Sequence, residues 1–187
     1  NLGIALAGAG AHGEAIEHYE RVLDEGRELL GDEHYTLRMV RGIIGDSYLA
    51  VGRIDDALRM GRLAIDGSVR INGPDHEDTF LAMSNHAVTL MELDRHDEAL
   101  PLTEAVVAGL ARAIGPDHPR SMIALRNHAG ALEGVGRTSE SVEIFYDLIE
   151  RQTRVLGNDA FDTILTKNNL AFQLCGVERF DEAVELM

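Results

Sequence analysis

Gly115-Pro116-Asp117-His118 decides the fold, because the chain carries four related versions of it. Gly73-Pro74-Asp75-His76 stands 42 residues earlier, and Gly31-Asp32-Glu33-His34 another 42 before that. Gly157-Asn158-Asp159-Ala160 follows 42 residues later. A second series has the same step: Arg53-Ile54-Asp55-Asp56-Ala57, Arg95-His96-Asp97-Glu98-Ala99, Arg137-Thr138-Ser139-Glu140-Ser141 and Arg179-Phe180-Asp181-Glu182-Ala183. Ala11-His12-Gly13-Glu14-Ala15 is its degenerate first member. A third runs Asn1-Leu2-Gly3, Ile43-Ile44-Gly45, Asn85-His86-Ala87, Asn127-His128-Ala129 and Asn169-Leu170-Ala171. Three series on one period mark an array of stacked supersecondary units. The chain divides into a partial unit 1–30, units 31–72, 73–114 and 115–156, and a partial unit 157–187, forming one array.

Each unit reads as two helices. Gly ends the preceding helix, and Asp with a following Pro opens the next. Apolar or small residues then recur at helical spacing, as in Met83, Ala87 and Leu90. Gly52-Arg53, Asp94-Arg95 and Gly136-Arg137 mark a short turn inside the unit, and a second helix runs on through Ala99, Leu100, Val106 and Val107. No segment alternates with period two long enough to form a strand, so the fold is all-α. Gly3, Gly45, Ala87, Ala129 and Ala171 lie twelve residues before Ala15, Ala57, Ala99, Ser141 and Ala183. Small side chains at these two points let the paired helices approach closely.

Composition narrows the function. Among 187 residues, 32 are acidic and 17 basic, a formal charge of −15. Such a surface repels phosphate backbones and anionic bilayers, which argues against nucleic acid and membrane partners. No apolar stretch approaches the ~18 residues of a spanning helix. The lone Cys175 forms no internal disulfide and suits a reducing, cytoplasmic compartment. Lys167 is the only Lys beside many Arg, a usage that suggests a GC-rich bacterial genome. The start lacks an initiator Met and a charged leader, and reads as a cut through a longer chain.

The small–small spacing, the Leu or Tyr three residues after the first small position (Leu6, Tyr48, Leu90, Leu132, Leu174) and the Ala preceded by acidic residues resemble the tetratricopeptide repeat. The 42-residue step and the Gly-Pro-Asp-His linker are similar to its kinesin-light-chain-type variant. The usual period is about 34. Another departure is the aromatic four residues after the second small position, present as Tyr19 and Phe145 but replaced by Gly61 and Thr103. The resemblance implies a right-handed superhelical α-solenoid of antiparallel helix pairs that binds peptides in a concave groove lined by the first helices. Groove positions implied residue by residue are Ser84, Asn85, Val88 and Met91; Arg126, Asn127 and Gly130; and Asn168, Asn169 and Phe172, with Glu133 one turn further on.

Asn suits such a role because its amide both donates and accepts, so it can hold a peptide by its backbone. Mid-helix Asn is worse than Ala by up to ~0.7 kcal/mol, so its recurrence is not for helicity. The competing expectation is that each Asn bonds to the neighbouring repeat and specifies packing. Some relatives clamp a C-terminal carboxylate with several cations. Here the matching positions supply chiefly Arg126, with Leu81, Ile123 and Leu165 where Lys is wanted, which argues against that clamp. The acidic surface favours a basic or apolar peptide.

Of the eight His residues, His34, His76 and His118 recur in the linkers and His86 and His128 on helices, all at the repeat period and so in different units, which disfavours a metal site. Gly8-Ala9-Gly10-Ala11-His12-Gly13 falls at a repeat turn and follows no strand, so it is no phosphate loop. No nucleophile with an ordered base is evident, and Cys175 reads as a packed or groove-lining thiol. The expectation is a non-enzymatic protein-binding module of a larger regulatory protein, without metal or cofactor. The alternative is a scaffold that packs on its own chain or another copy. The chain starts inside a first helix and stops at Met187 inside a second, so both ends should expose apolar surface and favour end-to-end contacts.

Overall fold

The linker glycines do what only glycine does easily. Gly31, Gly73, Gly115 and Gly157 take φ of 84°, 93°, 90° and 98° with ψ of 153° to 166°. That region is closed to side chains bearing a Cβ. Each glycine therefore stops a helix and redirects the chain. The computed structural model describes residues 2–186; Asn1 and Met187, the first and last residues of the array read above, lie outside the described residues.

Two compact units result, Asn1–Leu93 and Asp94–Met187. The first contains α1 (Leu2–Gly8), α2 (His12–Leu30), α3 (Tyr35–Ile43), α4 (Gly45–Ala50), α5 (Ile54–Asn72) and α6 (Glu77–Glu92). The second contains α7 (His96–Ile114), α8 (Pro119–Gly134), α9 (Thr138–Leu156), α10 (Phe161–Gly176) and α11 (Phe180–Glu185). No strand occurs among the described residues. The first helix of the second repeat is interrupted at Ile44, between Gly42 and Gly45, so that α3 and α4 are two short helices in place of one. Ile44 itself keeps helical dihedrals, and its amide and carbonyl still bond to Val40 and Tyr48 at 3.0 and 3.1 Å.

The helix starts differ from expectation. His, and not Asp, caps them: Nδ1 of His34, His76 and His118 accepts from the amides of Thr36, Asp78 and Arg120 at 3.2, 3.1 and 3.2 Å. An imidazole reaches the orphan amide as a Ser or Asn oxygen does, provided that Nδ1 carries no proton. Ala160, at the fourth such position, has no side chain to offer. Inside three of these helices, Thr79, Ser121 and Thr163 each donate a hydroxyl back to the linker glycine carbonyl at 2.8, 2.7 and 2.9 Å. The turn and the helix that follows it are thereby tied together.

The small residues sit in the core. Ala15, Ala57, Ala87, Ala99, Ala129 and Ser141 are essentially inaccessible. A Cβ on Gly3 would stand 2.5 Å from the Tyr19 ring, so the ring has taken the space glycine leaves. The missing aromatics are also accounted for. Where Gly61 replaces one, the His86 ring from the next first helix fills the gap, 2.2 Å from where a glycine Cβ would be. At Thr103 the hydroxyl meets His128 Nδ1 at 3.0 Å. A ring is thus kept at the contact but supplied from the opposite helix. The Arg series has a local role too: Arg95, Arg137 and Arg179 each pair with the Glu three residues on.

Candidate functional site

Within the first unit, α3 and α6 are the first helices of successive repeats. Between them lies a cleft walled by Tyr35, Met39, Ile43, Leu81 and Ala82, with Ser68 of α5 and Asp78 at its margins. Its cavity volume is about 50 Å³, room for a few waters or the tip of one side chain. Asn85 lines it and donates from Nδ2 to the carbonyl of Gly42 across the helix pair at 3.1 Å. Asn85 therefore touches both the cleft and the neighbouring repeat. Ser84, Val88 and Met91 are half-buried elsewhere on α6.

The second unit carries the same cleft two repeat steps on. Pro119, Met122, Ile123, Arg126, Gln152 and Asp162 line it, and each is the repeat counterpart of a residue lining the first. Arg126 thus borders this cleft, while Asn127 and Gly130 are half-buried further along α8. On α10, Asn169 is half-buried and Asn168 exposed. Phe172 is 78% exposed and lies in an apolar patch with Cys175, Phe180 and Val184. Cys175 is exposed beside Phe172, so it belongs to a surface and not to a packed interior.

One residue of the first cleft is absent from the positions that the sequence implied. Arg38 is 9% exposed, lines the cleft, and has no hydrogen-bond partner at its buried Nε. Its counterparts in the next two repeats are the buried Phe80 and Met122. An arginine in a series that is otherwise apolar was the available signal, overshadowed by the more regular Asn row. Gln152 of the second cleft is similar, 4% exposed with an unpartnered Oε1. A buried polar atom left unsatisfied costs ~1–3 kcal/mol, so two at equivalent clefts are notable.

Among the described residues no three His, Cys, Asp or Glu side chains gather as metal ligands. The Tyr48 hydroxyl has its pKa pushed up to about 12, by burial and by its hydrogen bond to Glu20 at 3.0 Å, so it stays a protonated core phenol. Burial pushes His128 down, where it packs against Thr103. No helix of the described residues is long and apolar enough to cross a membrane.

Paired helices on a fixed step, small residues at their crossings and inter-helix clefts at equivalent places define an all-α repeat solenoid. The family model for the tetratricopeptide repeat matches residues 1–68 and 78–154, and the chain belongs to that family. No curated protein matches it. Among solved structures it is similar to a Podosopora anserina protein described as a kinesin light chain with nearly identical TPR-like repeats. That match has a TM-score of 0.85 at 22% identity, over 99% of this chain and 88% of that one. BtubC (BKLC) from P. vanneervenii matches with a TM-score of 0.84 at 16% identity, over 100% and 74%. A Rap protein complexed with Competence and Sporulation Factor matches with 0.76 at 15%, over 98% of this chain and 49% of that one. Identities this low establish the fold alone.

Proposed function

We propose that this chain is a non-enzymatic module of a larger regulatory protein, and that it binds peptide segments along the first helices of its repeats. The observation that carries the reading is the recurrence of one cleft, between successive first helices, in both units. Its walls are apolar and its few polar groups point to orientation of a ligand, the usual make-up of a binding site. The family's use as a protein-interaction fold, and the Rap protein solved with Competence and Sporulation Factor, support the same class of partner. The proposed contact residues are those of the first helices: Ser84, Asn85, Val88 and Met91, then Arg126, Asn127, Gly130, Asn168, Asn169 and Phe172. The single cysteine and Arg-rich usage favour the cytoplasm of a bacterium.

A peptide array probed with the whole chain and with an Asn85→Ala/Asn127→Ala/Asn169→Ala variant tests this. Loss of the Asn85 bond to Gly42 should cost about 0.5–1.5 kcal/mol. Better helix propensity offsets part of that. Hits should disappear in a variant that still melts cooperatively. Hits that persist unchanged would show that the Asn row is structural.

A second reading has its own observation. The apolar patch of Phe172, Phe180 and Val184 is large-sidechained and exposed, which favours contact with a second copy of the chain.

A further inference from the structure

We infer that the cleft between α3 and α6 is a subsite for a carboxylate side chain, an Asp or Glu flanked by apolar residues in an extended peptide, with Arg38 as its counter-ion. The inference rests on the peptide-binding reading above and names the chemistry of one of its sites.

Arg38 is more than nine-tenths buried, and its Nε has no partner. Among the described residues, no carboxylate lies within ion-pair reach of its guanidinium. Arginine cannot shed its proton at any ordinary pH, so the charge is permanent. Its stem is fixed: a Cβ on Gly67 would lie 3.3 Å from Arg38 Cδ, and the glycine makes room for it. The guanidinium carbon lies 5.9 Å from the centroid of the Tyr35 ring, another wall of the same cleft. The nearby acid, Asp78, is engaged with the Asn72 amide at 3.1 Å and stands 3.8 Å from His76. Elsewhere in the unit, the buried Arg41 has its carboxylate in Asp32. Arg38 thus stands as a fixed cation in an otherwise acidic protein, in a cleft of about 50 Å³ that has room for the tip of one side chain. A carboxylate matches it in charge and in planar, two-pronged geometry.

The second unit uses the equivalent positions differently. In the equivalent cleft the buried group is the Oε1 of Gln152, an acceptor, and the position of Arg38 is filled by Met122. Equivalent clefts with different buried groups are what side-chain discrimination along a repeat array requires. The net charge of −15 favours basic or apolar ligands overall; the equivalent cleft is bordered by the half-buried Arg126, whereas in this one the cation, Arg38, is buried.

The probe is a set of N-acetylated, C-amidated octapeptides. Each position is scanned through Asp, Asn, Glu, Gln, Lys, Leu and Phe on an apolar background, with free-carboxylate versions alongside. Binding to the full chain is read by fluorescence polarisation. The tightest peptides should carry an internal Asp or Glu, and Asn or Gln in its place should weaken binding by about tenfold. Arg38→Met, which copies Met122, should fold and abolish the difference, whereas Arg38→Lys should retain part of it. The Nε–H resonance of Arg38 in the unmodified chain should shift on titration with the best peptide, so the inference does not depend on the variants folding. It is overturned by an absent acidic preference, by a preference that survives Arg38→Met, by one confined to free C-terminal carboxylates, or by an unmoved Arg38 resonance. Peptides that bind without acidic preference leave the groove standing and remove only this subsite; no binding by any peptide removes both.

Discussion

His86 and His128 show how much one side chain can owe to its opposite number. Both occupy places that in other repeats hold Ile44 or Leu170, and each faces a residue smaller than the aromatic found there elsewhere. The exchange keeps the contact filled, but it puts a titratable ring inside. For His128, burial pushes the pKa below the ordinary value; Glu104 pulls it up, Arg137 down and Glu140 up. The unfolded chain therefore takes up the proton more readily. Stability is intact well above about pH 6.5 and falls as the pH drops through that value. Melting at pH 7.5 and 5.5 should give a lower Tm in acid, and His128→Gln, which can still bond to Thr103, should narrow the gap. An unchanged gap would show that other groups carry the acid sensitivity. Little of this was legible in advance, because a sequence names the small residue at 61 or 103 without saying what fills the space it leaves.

Between elements the backbone sets the terms. The turns within repeats use one left-handed residue each: Gly10, Gly52 and Gly136 in three of them, Asp94 and Glu178 in the others. A side chain there is strained, least so for Asp, whose short polar group tolerates the conformation. Glu178→Gly should stabilise by roughly 0.5–1 kcal/mol, the net of relieved strain and glycine's greater entropy loss. Gly115→Ala, in the linker, should cost ~1–3 kcal/mol. Chemical denaturation of the two variants measures both, and equal stabilities would mean that the chain relaxes freely at these turns. The linker and turn series were readable because backbone conformation leaves its mark on residue type. The caps were not: Asp precedes each capping His in two linkers and looks like the better cap, yet geometry delivers the imidazole to the amide.

On the scale of the molecule, each unit buries its own cluster of apolar side chains, one around Leu37, Ile44 and Tyr48, the other around Leu148, Leu170 and Leu174. Apolar surface also remains open on the second unit. If Phe172 and Val184 pair with another copy, sedimentation should show concentration-dependent association. Added salt should strengthen it by screening the charge of −15. Phe172→Ser/Val184→Ser should abolish it. A chain that sediments as a monomer at every concentration and salt level rules out the second-copy reading.

The sequence by itself determined the repeat, its helices, the small residues at their crossings and the tetratricopeptide family, because local conformation and close packing restrict residue type at a fixed step. Only the tertiary structure decided which side chain fills a shared space and which polar group is left without a partner. Asn85 reaches Gly42, a His ring replaces a missing aromatic, and Arg38 is shut into a cleft with its Nε unpartnered. Such pairings join residues far apart along the chain and depend on distance and direction in space, which a periodic sequence constrains only to the level of the helix.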